Sequence, residues 1–212
     1  MSQRLIYVMD PMCSWCWGFA PVVDAILALA PDLPLHVVAG GLRPGQGSPL
    51  DDRTRAVLAE HWEAVQEASG QPFVSPAALP DSFVYDTEPA CRALIVGRGL
   101  DMSRTWALVK HLQQAFYVQA QDLSDVHVLL DLAVQVGFER AVFAEAYASE
   151  LARAGVAADF SWTRDLGIAG FPTLLAERDG QLALLANGFQ PAADVVPLMQ
   201  RWLAAPRGAA PA

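Results

Sequence analysis

Asp10-Pro-Met-Cys-Ser-Trp-Cys-Trp-Gly-Phe19 follows directly on the β-branched and aromatic run Leu5-Ile-Tyr-Val-Met9 and opens a long apolar stretch. The run reads as a strand, Asp10–Met12 as a tight turn, and the residues from Ser14 onward as a helix. Cys13 and Cys16 stand one helical turn apart, which sets their Cα atoms on the order of 5 Å from each other, inside the window a disulfide requires. The pair can therefore close and open locally. A cysteine at a helix N-terminus meets unpaired N–H groups and the positive end of the macrodipole, both of which favour the thiolate, the form that attacks disulfides. The leading reading of the pair is a reversible redox dithiol.

Working outward, Ser14–Ala30 is expected as a helix interrupted at Pro21, and Leu35–Ala39 as a second strand. Strands joined through a helix lie parallel with a right-handed crossover. Gly40–Pro49 is dense in turn residues, and from Asp51 to about Phe160 nearly every segment has helical spacing. The expected helices are Asp51–Ser69, Glu88–Gly97, Met102–Gln119 capped by Asp101, Asp125–Val136 capped by Ser124, Glu139–Ala154 and a short one near Asp159–Leu166. Gln71–Tyr85, with Pro72, Pro76 and Pro80, separates the first two. The pattern then returns to strands, Thr173–Glu177 and Gln181–Ala186, joined by a hairpin with an Asp179-Gly180 signal. A last helix spans Pro191–Leu203, and the Ala-, Pro- and Gly-rich tail Ala204–Ala212 is expected to fray.

The 212 residues, 53% of them hydrophobic, suit one domain with a sizeable insertion. The net charge is -9, and the thirteen arginines and single lysine, Lys110, form no cluster, which excludes a phosphate-tracking surface and nucleic acid as a partner. Met1–Arg4 leaves no room for a secretory signal ahead of the first strand, and no apolar run reaches about 18 residues, so neither export nor a membrane span is expected. In a cytoplasmic chain a cysteine pair is more often catalytic or metal-binding than structural. Three cysteines cannot build a disulfide framework, and Cys91 reads as a packed small hydrophobe, with a third redox partner as the alternative. A metal site would need Cys13, Cys16, Cys91 and one of His36, His61, His111 or His127 to converge, and no second paired motif suggests it. No metal, cofactor or catalytic histidine is assigned. Trp17 and Phe19 are expected to pack inward, while Trp15, between the cysteines, is expected as an exposed apolar lip for substrate. Arg43 reads as a solvated loop arginine, with a carboxylate contact as the alternative.

The order β-α-β with CxxC, helical insertion, then β-β-α resembles the thioredoxin fold in its DsbA-like form. Gly167-Ile-Ala-Gly-Phe-Pro-Thr-Leu174 resembles the cis-proline loop of that superfamily. Gln114-Ala-Phe-Tyr-Val-Gln-Ala-Gln-Asp-Leu-Ser-Asp125 is similar to a segment recurring in cytoplasmic DsbA-family proteins and in the kappa-class glutathione transferases and 2-hydroxychromene-2-carboxylate isomerases. The resemblance covers essentially the whole chain. It implies an α/β thioredoxin-like domain, residues 1–42 and 161–212, interrupted by a helical insertion domain, residues 43–160. It further implies Cys13 as nucleophile, Cys16 as resolving thiol and Pro172 as the cis-proline facing them, with the backbone of Phe171 pairing with an extended substrate. The sequence departs from the pattern at Tyr7, where many relatives carry a buried acid six residues before the nucleophile. A carboxylate close to Cys13, such as Asp10, would oppose thiolate formation. Ser14 and Trp15 supply no positive charge between the cysteines, so a less oxidising couple than DsbA is expected.

The expected function is therefore thiol–disulfide exchange in the reductase or isomerase direction. Its partners are protein or small-molecule disulfides and thiols, glutathione among them, and the apolar insertion leaves room for a homodimer. The alternatives are a glutathione-dependent transferase or isomerase, against which Cys16 argues, and a non-enzymatic redox sensor or partner-binding module.

Overall fold

Gln3–Met9 (β1) is buried on both faces from Leu5 onward, the pattern of a central strand covered on each side. In the computed structural model, which describes residues 3–205, β1 lies in a four-stranded sheet with Leu35–Ala39 (β2), Thr173–Arg178 (β3) and Gln181–Asn187 (β4), in the order β2-β1-β3-β4. β1 and β2 run parallel, Leu5 opposite Leu35 and Met9 opposite Ala39, as the helical crossover between them requires. β3 runs antiparallel to both β1 and β4. The β3–β4 turn has φ of 51° at Asp179 and 81° at Gly180, the paired positive values that make Asp-Gly a hairpin signal. This is the thioredoxin-like β-α-β and β-β-α arrangement, with a helical insertion between β2 and β3.

Ser14–Leu29 (α1) carries Pro21 inside it. Pro21 has no N–H to give to the carbonyl of Trp17, four residues earlier. Gln71 Nε2 supplies the missing donor at 3.1 Å, and Trp17 Nε1 donates in turn to Pro72 O at 3.0 Å. The proline-rich connector is thereby fastened to the helix that starts at the dithiol.

The insertion consists of Asp52–Ser69 (α2), a single 3-10 turn at Pro76–Ala78, Glu88–Leu100 (α3), Met102–Gln119 (α4), Val126–Val136 (α5), Arg140–Ala148 (α6) and Glu150–Asp165 (α7); Ala192–Ala204 (α8) closes the chain. Two expected boundaries are corrected. The helix expected over Glu139–Ala154 and the short one near Asp159–Leu166 are instead divided at Ser149, where the backbone is extended. Ser149 Oγ donates to Ala146 O at 2.6 Å and accepts from Ala152 N at 3.1 Å, ending one helix and starting the next. Helix α5 is capped by Asp125, which accepts from His127 N at 2.8 Å, rather than by Ser124. The frayed tail expected over Ala204–Ala212 lies, from residue 206, outside the described residues.

Three apolar clusters result. One is largely helical and aromatic, around Trp62, Phe83, Phe116 and Tyr117. A second packs on the face of β1 that carries Leu5, Tyr7 and Met9, with Phe19, Val37 and Leu174, and takes in Cys91, Leu94 and Ile95 of α3; a third, smaller, lies on the other face, around Ile6, Val8, Val38 and Leu175. Helix α3 therefore packs into the first two, with Ala90, Ala93 and Val96 in the helical cluster and Cys91, Leu94 and Ile95 toward the sheet, and it meets β2 beside the dithiol turn. Among the described residues no helix is long and apolar enough to cross a membrane.

Candidate active site

Cys13 is the N-cap of α1, with φ -87° and ψ 116°. Its N–H donates to Asp10 O at 3.0 Å, closing the turn, and its carbonyl accepts from Cys16 N at 3.0 Å and Trp17 N at 3.1 Å, starting the helix. Local geometry thus places Cys16 in the first turn. Cys13 is 4% exposed and Cys16 wholly buried, and both are free thiols. Of the pair, only Cys13 has any exposed surface.

The Cys13 thiol donates to the carbonyl oxygen of Phe171 at 3.7 Å, across 158 positions of sequence. The Phe171–Pro172 peptide bond is cis. The ring of Phe171 lies on the backbone of Gly40, just past the end of β2, so close that a Cβ there would stand 2.2 Å from it. The structure brings Cys13, Cys16, Phe171 and Pro172 together where α1, β2 and β3 converge. Trp15 is half-buried rather than an exposed lip: its ring packs 5.5 Å from that of Phe189 and 5.9 Å from that of His61 of α2. Trp17 and Phe19 point inward, Trp17 stacked on Tyr117 at 6.3 Å.

Beneath the dithiol lies a polar layer that sequence reasoning left unassigned. Asp10 is completely buried. It accepts from Met12 N at 2.8 Å, from Leu42 N at 2.7 Å and from the Cys91 thiol at 3.4 Å. Asp10 therefore ties the dithiol turn to the β2–α2 loop and to α3. The bond to Met12, two residues on, is the Asx turn that Asp-Pro-Met announces; the bonds to Leu42 and Cys91 have no local signature. Tyr85 Oη donates to Met12 O at 2.6 Å, and Tyr7, in the position of the missing acid, donates to Cys16 O at 3.4 Å.

Burial dominates the titration of this layer. It pushes the Cys16 thiol well above its ordinary value, and the neighbouring Cys13 sulfur adds to the effect. It raises Asp10 as well, against the lowering effect of its Leu42, Met12, Thr87 and Cys91 donors. Burial likewise raises the Cys91 thiol, reinforced by the charge of Asp10, so Cys91 serves as a neutral donor to that carboxylate. Tyr7, Tyr85 and Tyr117 are all pushed up by burial and remain neutral phenols. Among the described residues no group of three or more histidine, cysteine or acidic side chains is placed to hold a metal.

A dithiol at a helix start, facing a cis-proline loop on a four-stranded sheet, defines a class: thioredoxin-fold oxidoreductases, here with a helical insertion. The chain belongs to the DSBA-like thioredoxin domain family, whose pattern matches residues 4–197. Among solved structures it is similar to a candidate protein disulfide isomerase of Nitrosomonas europaea, 35% identical, with a TM-score of 0.87 over 96% of this chain and 98% of that one. It is also similar to the cytosolic disulfide reductase DsbM of Pseudomonas aeruginosa, 28% identical, TM-score 0.79, over 95% of this chain and 100% of that one. The ClpXP adapter protein SpxH of Bacillus subtilis is 22% identical over 178 residues, covering 78% of this chain but only 55% of that protein, so the chain spans about half of that relative's length. A 2-hydroxychromene-2-carboxylate isomerase structure, 13% identical with a TM-score of 0.62, shares the fold.

Proposed function

We propose that this protein is a thiol–disulfide oxidoreductase in which Cys13 attacks and Cys16 resolves. The observation that carries the assignment is the asymmetry of the pair: Cys13 faces the Phe171 carbonyl at the edge of the site, while Cys16 is sealed behind it with its thiol held neutral by burial. The Cys13 thiolate attacks one sulfur of a substrate disulfide, forming a Cys13–substrate bond and expelling the other half as a thiolate. Cys16 then gives up its proton and attacks Cys13 Sγ. The Cys13–Cys16 disulfide forms, the second half of the substrate leaves as a thiol, and the two electrons of the dithiol have passed to the substrate. An external thiol reductant restores the pair. Phe171, next to Pro172, offers its backbone to an extended substrate. Trp15, seated between Phe189 and His61, offers an apolar face.

The reductase or isomerase direction, in the cytosol, is supported by the likeness to DsbM, described as a cytosolic disulfide reductase. Glutathione as a substrate or reductant is supported by a structure of DsbM with GSH, 26% identical to this chain. The test is a trap. A Cys16→Ser variant cannot resolve, so mixed disulfides should accumulate on Cys13 and be released by dithiothreitol, and the wild type should reduce insulin with a dithiol donor. An empty trap in cell lysate together with no insulin turnover would reject the assignment.

A further inference from the structure

We propose that Arg43 is the carboxylate anchor of the substrate site, selecting disulfides that carry a free carboxylate within a tripeptide's length of the sulfur, as glutathione disulfide does. This rests on the oxidoreductase reading and names its substrate class.

Arg43 is an exposed residue in the loop after β2, yet its placement is fixed from three sides. Its N–H donates to Thr87 Oγ1 at 3.1 Å, and its carbonyl accepts from Thr87 N at 3.2 Å, so the start of α3 clamps its backbone. The preceding residue, Leu42, is held by Asp10. The guanidinium is drawn back over the ring of Tyr85, 5.0 Å from its centre, and that same Tyr85 bonds the carbonyl of Met12, the neighbour of Cys13. Guanidinium, ring, hydroxyl and carbonyl thus form a chain that keeps the charge within about 10 Å of the dithiol turn, the span of an extended tripeptide.

Its charge has no partner among the described residues. Seven other cations each hold a carboxylate, and Arg55 and Arg178 cap backbone carbonyls. Arg43 does neither, a property it shares with Arg53, Arg164 and Arg201, and it alone of these four is drawn over Tyr85 beside the dithiol turn. The Phe171 ring packs on Gly40, three residues earlier, so the loop bearing Arg43 and the segment that faces the Cys13 sulfur form one continuous wall. A disulfide whose sulfur reaches Cys13 along that wall can extend its carboxylate to Arg43, where a planar bidentate contact is available.

The reaction to follow is oxidation of the reduced protein by a disulfide, which supplies the oxidant and leaves as two thiols while the Cys13–Cys16 bond forms. Second-order rate constants are measured with oxidised glutathione and with bis(2-hydroxyethyl) disulfide, which has no charge, and the readout is their ratio. Arg43→Gln should lower that ratio about ten-fold, and Arg43→Lys, which keeps the charge and loses the planar fork, should lower it less. The gap between the wild-type and Arg43→Gln ratios should narrow as ionic strength rises from about 0.01 M to about 1 M, where screening shortens from about 30 Å to about 3 Å; the repulsion of the anionic disulfide by the protein's net charge of -9 acts on both proteins and drops out of the comparison. A ratio unaltered by Arg43→Gln, or a gap between the two proteins that salt leaves unchanged, overturns the anchor. A wild type oxidised by neither disulfide rejects the oxidoreductase reading itself, a result distinct from the other two.

Discussion

Gly40 and Phe171 approach so closely that no side chain fits between them: a Cβ on Gly40 would lie 2.2 Å from both Cε1 and Cζ of the ring. Phe171 presents its carbonyl to Cys13, so the seat of this ring sets the position of the wall across from the sulfur. Gly40→Ala must push the ring outward, and such overpacking costs on the order of 1–3 kcal/mol. The expected outcome is a lower denaturation midpoint and slower disulfide exchange together. Gly45, with φ of 76° and open space around its would-be Cβ, is the control, since alanine there meets backbone strain alone. A Gly40→Ala protein as stable and as fast as wild type would refute the seat.

Asp10 joins three parts of the site, and its loss should be costly. Asp10→Ala leaves the N–H groups of Met12 and Leu42 without acceptors, a penalty of about 2–6 kcal/mol in all, at about 1–3 kcal/mol for each orphaned buried group. The charge itself has a pH signature. Burial raises the folded-state value of this carboxyl above its unfolded value. Its favourable contribution is therefore complete below the unfolded value and lost as pH rises through the folded one. Asp10→Asn removes that dependence, so the stability gap between wild type and variant should be wider near pH 4 than near pH 7. Urea midpoints at both pH values test this, and an equal gap would sink it.

The exposed helix caps act in the opposite sense. Donors lower Asp51 (Thr54 chiefly), Asp101 (Ser103 chiefly) and Glu139 (the Val142 amide chiefly). A lowered carboxyl contributes stability above its unfolded value and loses it as pH falls through the folded one. Helix content should thus soften below about pH 4, and replacing the three by Asn, Asn and Gln, which still accept hydrogen bonds, should flatten that acid limb. Circular dichroism across the titration reads it directly.

What the sequence made legible was local. The Asp-Gly hairpin, the strand–turn–helix around Cys13 and the cap Asp101 all depend on neighbours a few residues away, and each stands where its residues indicate. Ser149 was missed because Glu139–Ala154 has the spacing of a single helix, so the break was expected after Ala154, and a serine that bonds both backward and forward leaves no trace in that period. The half-burial of Trp15 was missed because His61 and Phe189 reach it from distant segments. Asp10 was noticed, but its direction is decided by Leu42 and Cys91, which only the folded chain brings near. Periodicity records which face of an element is buried; it does not record which groups meet there.

The residues between the two sulfurs set the poise of the couple. A strong oxidant stabilises its dithiol form, and a positive charge beside the nucleophile is one way of doing so. Here the intervening residues are Ser14, buried, and Trp15, whose ring packs against Phe189 and His61; neither side chain is charged, and the first turn of α1 carries no acid. Equilibration with glutathione should therefore give a potential well below the roughly -120 mV of DsbA. Trp15→His places a titratable cation at the helix start and should shift the potential upward by tens of millivolts, about 30 mV for each 1.4 kcal/mol by which the dithiol form is favoured. The shift should shrink as pH rises past the ordinary histidine value of about 6.5, because the neutral ring no longer holds the thiolate. A wild-type potential near that of DsbA, or a Trp15→His shift that persists unchanged at high pH, would show that the poise is set elsewhere, with the buried layer of Asp10 and Tyr7 the next place to look.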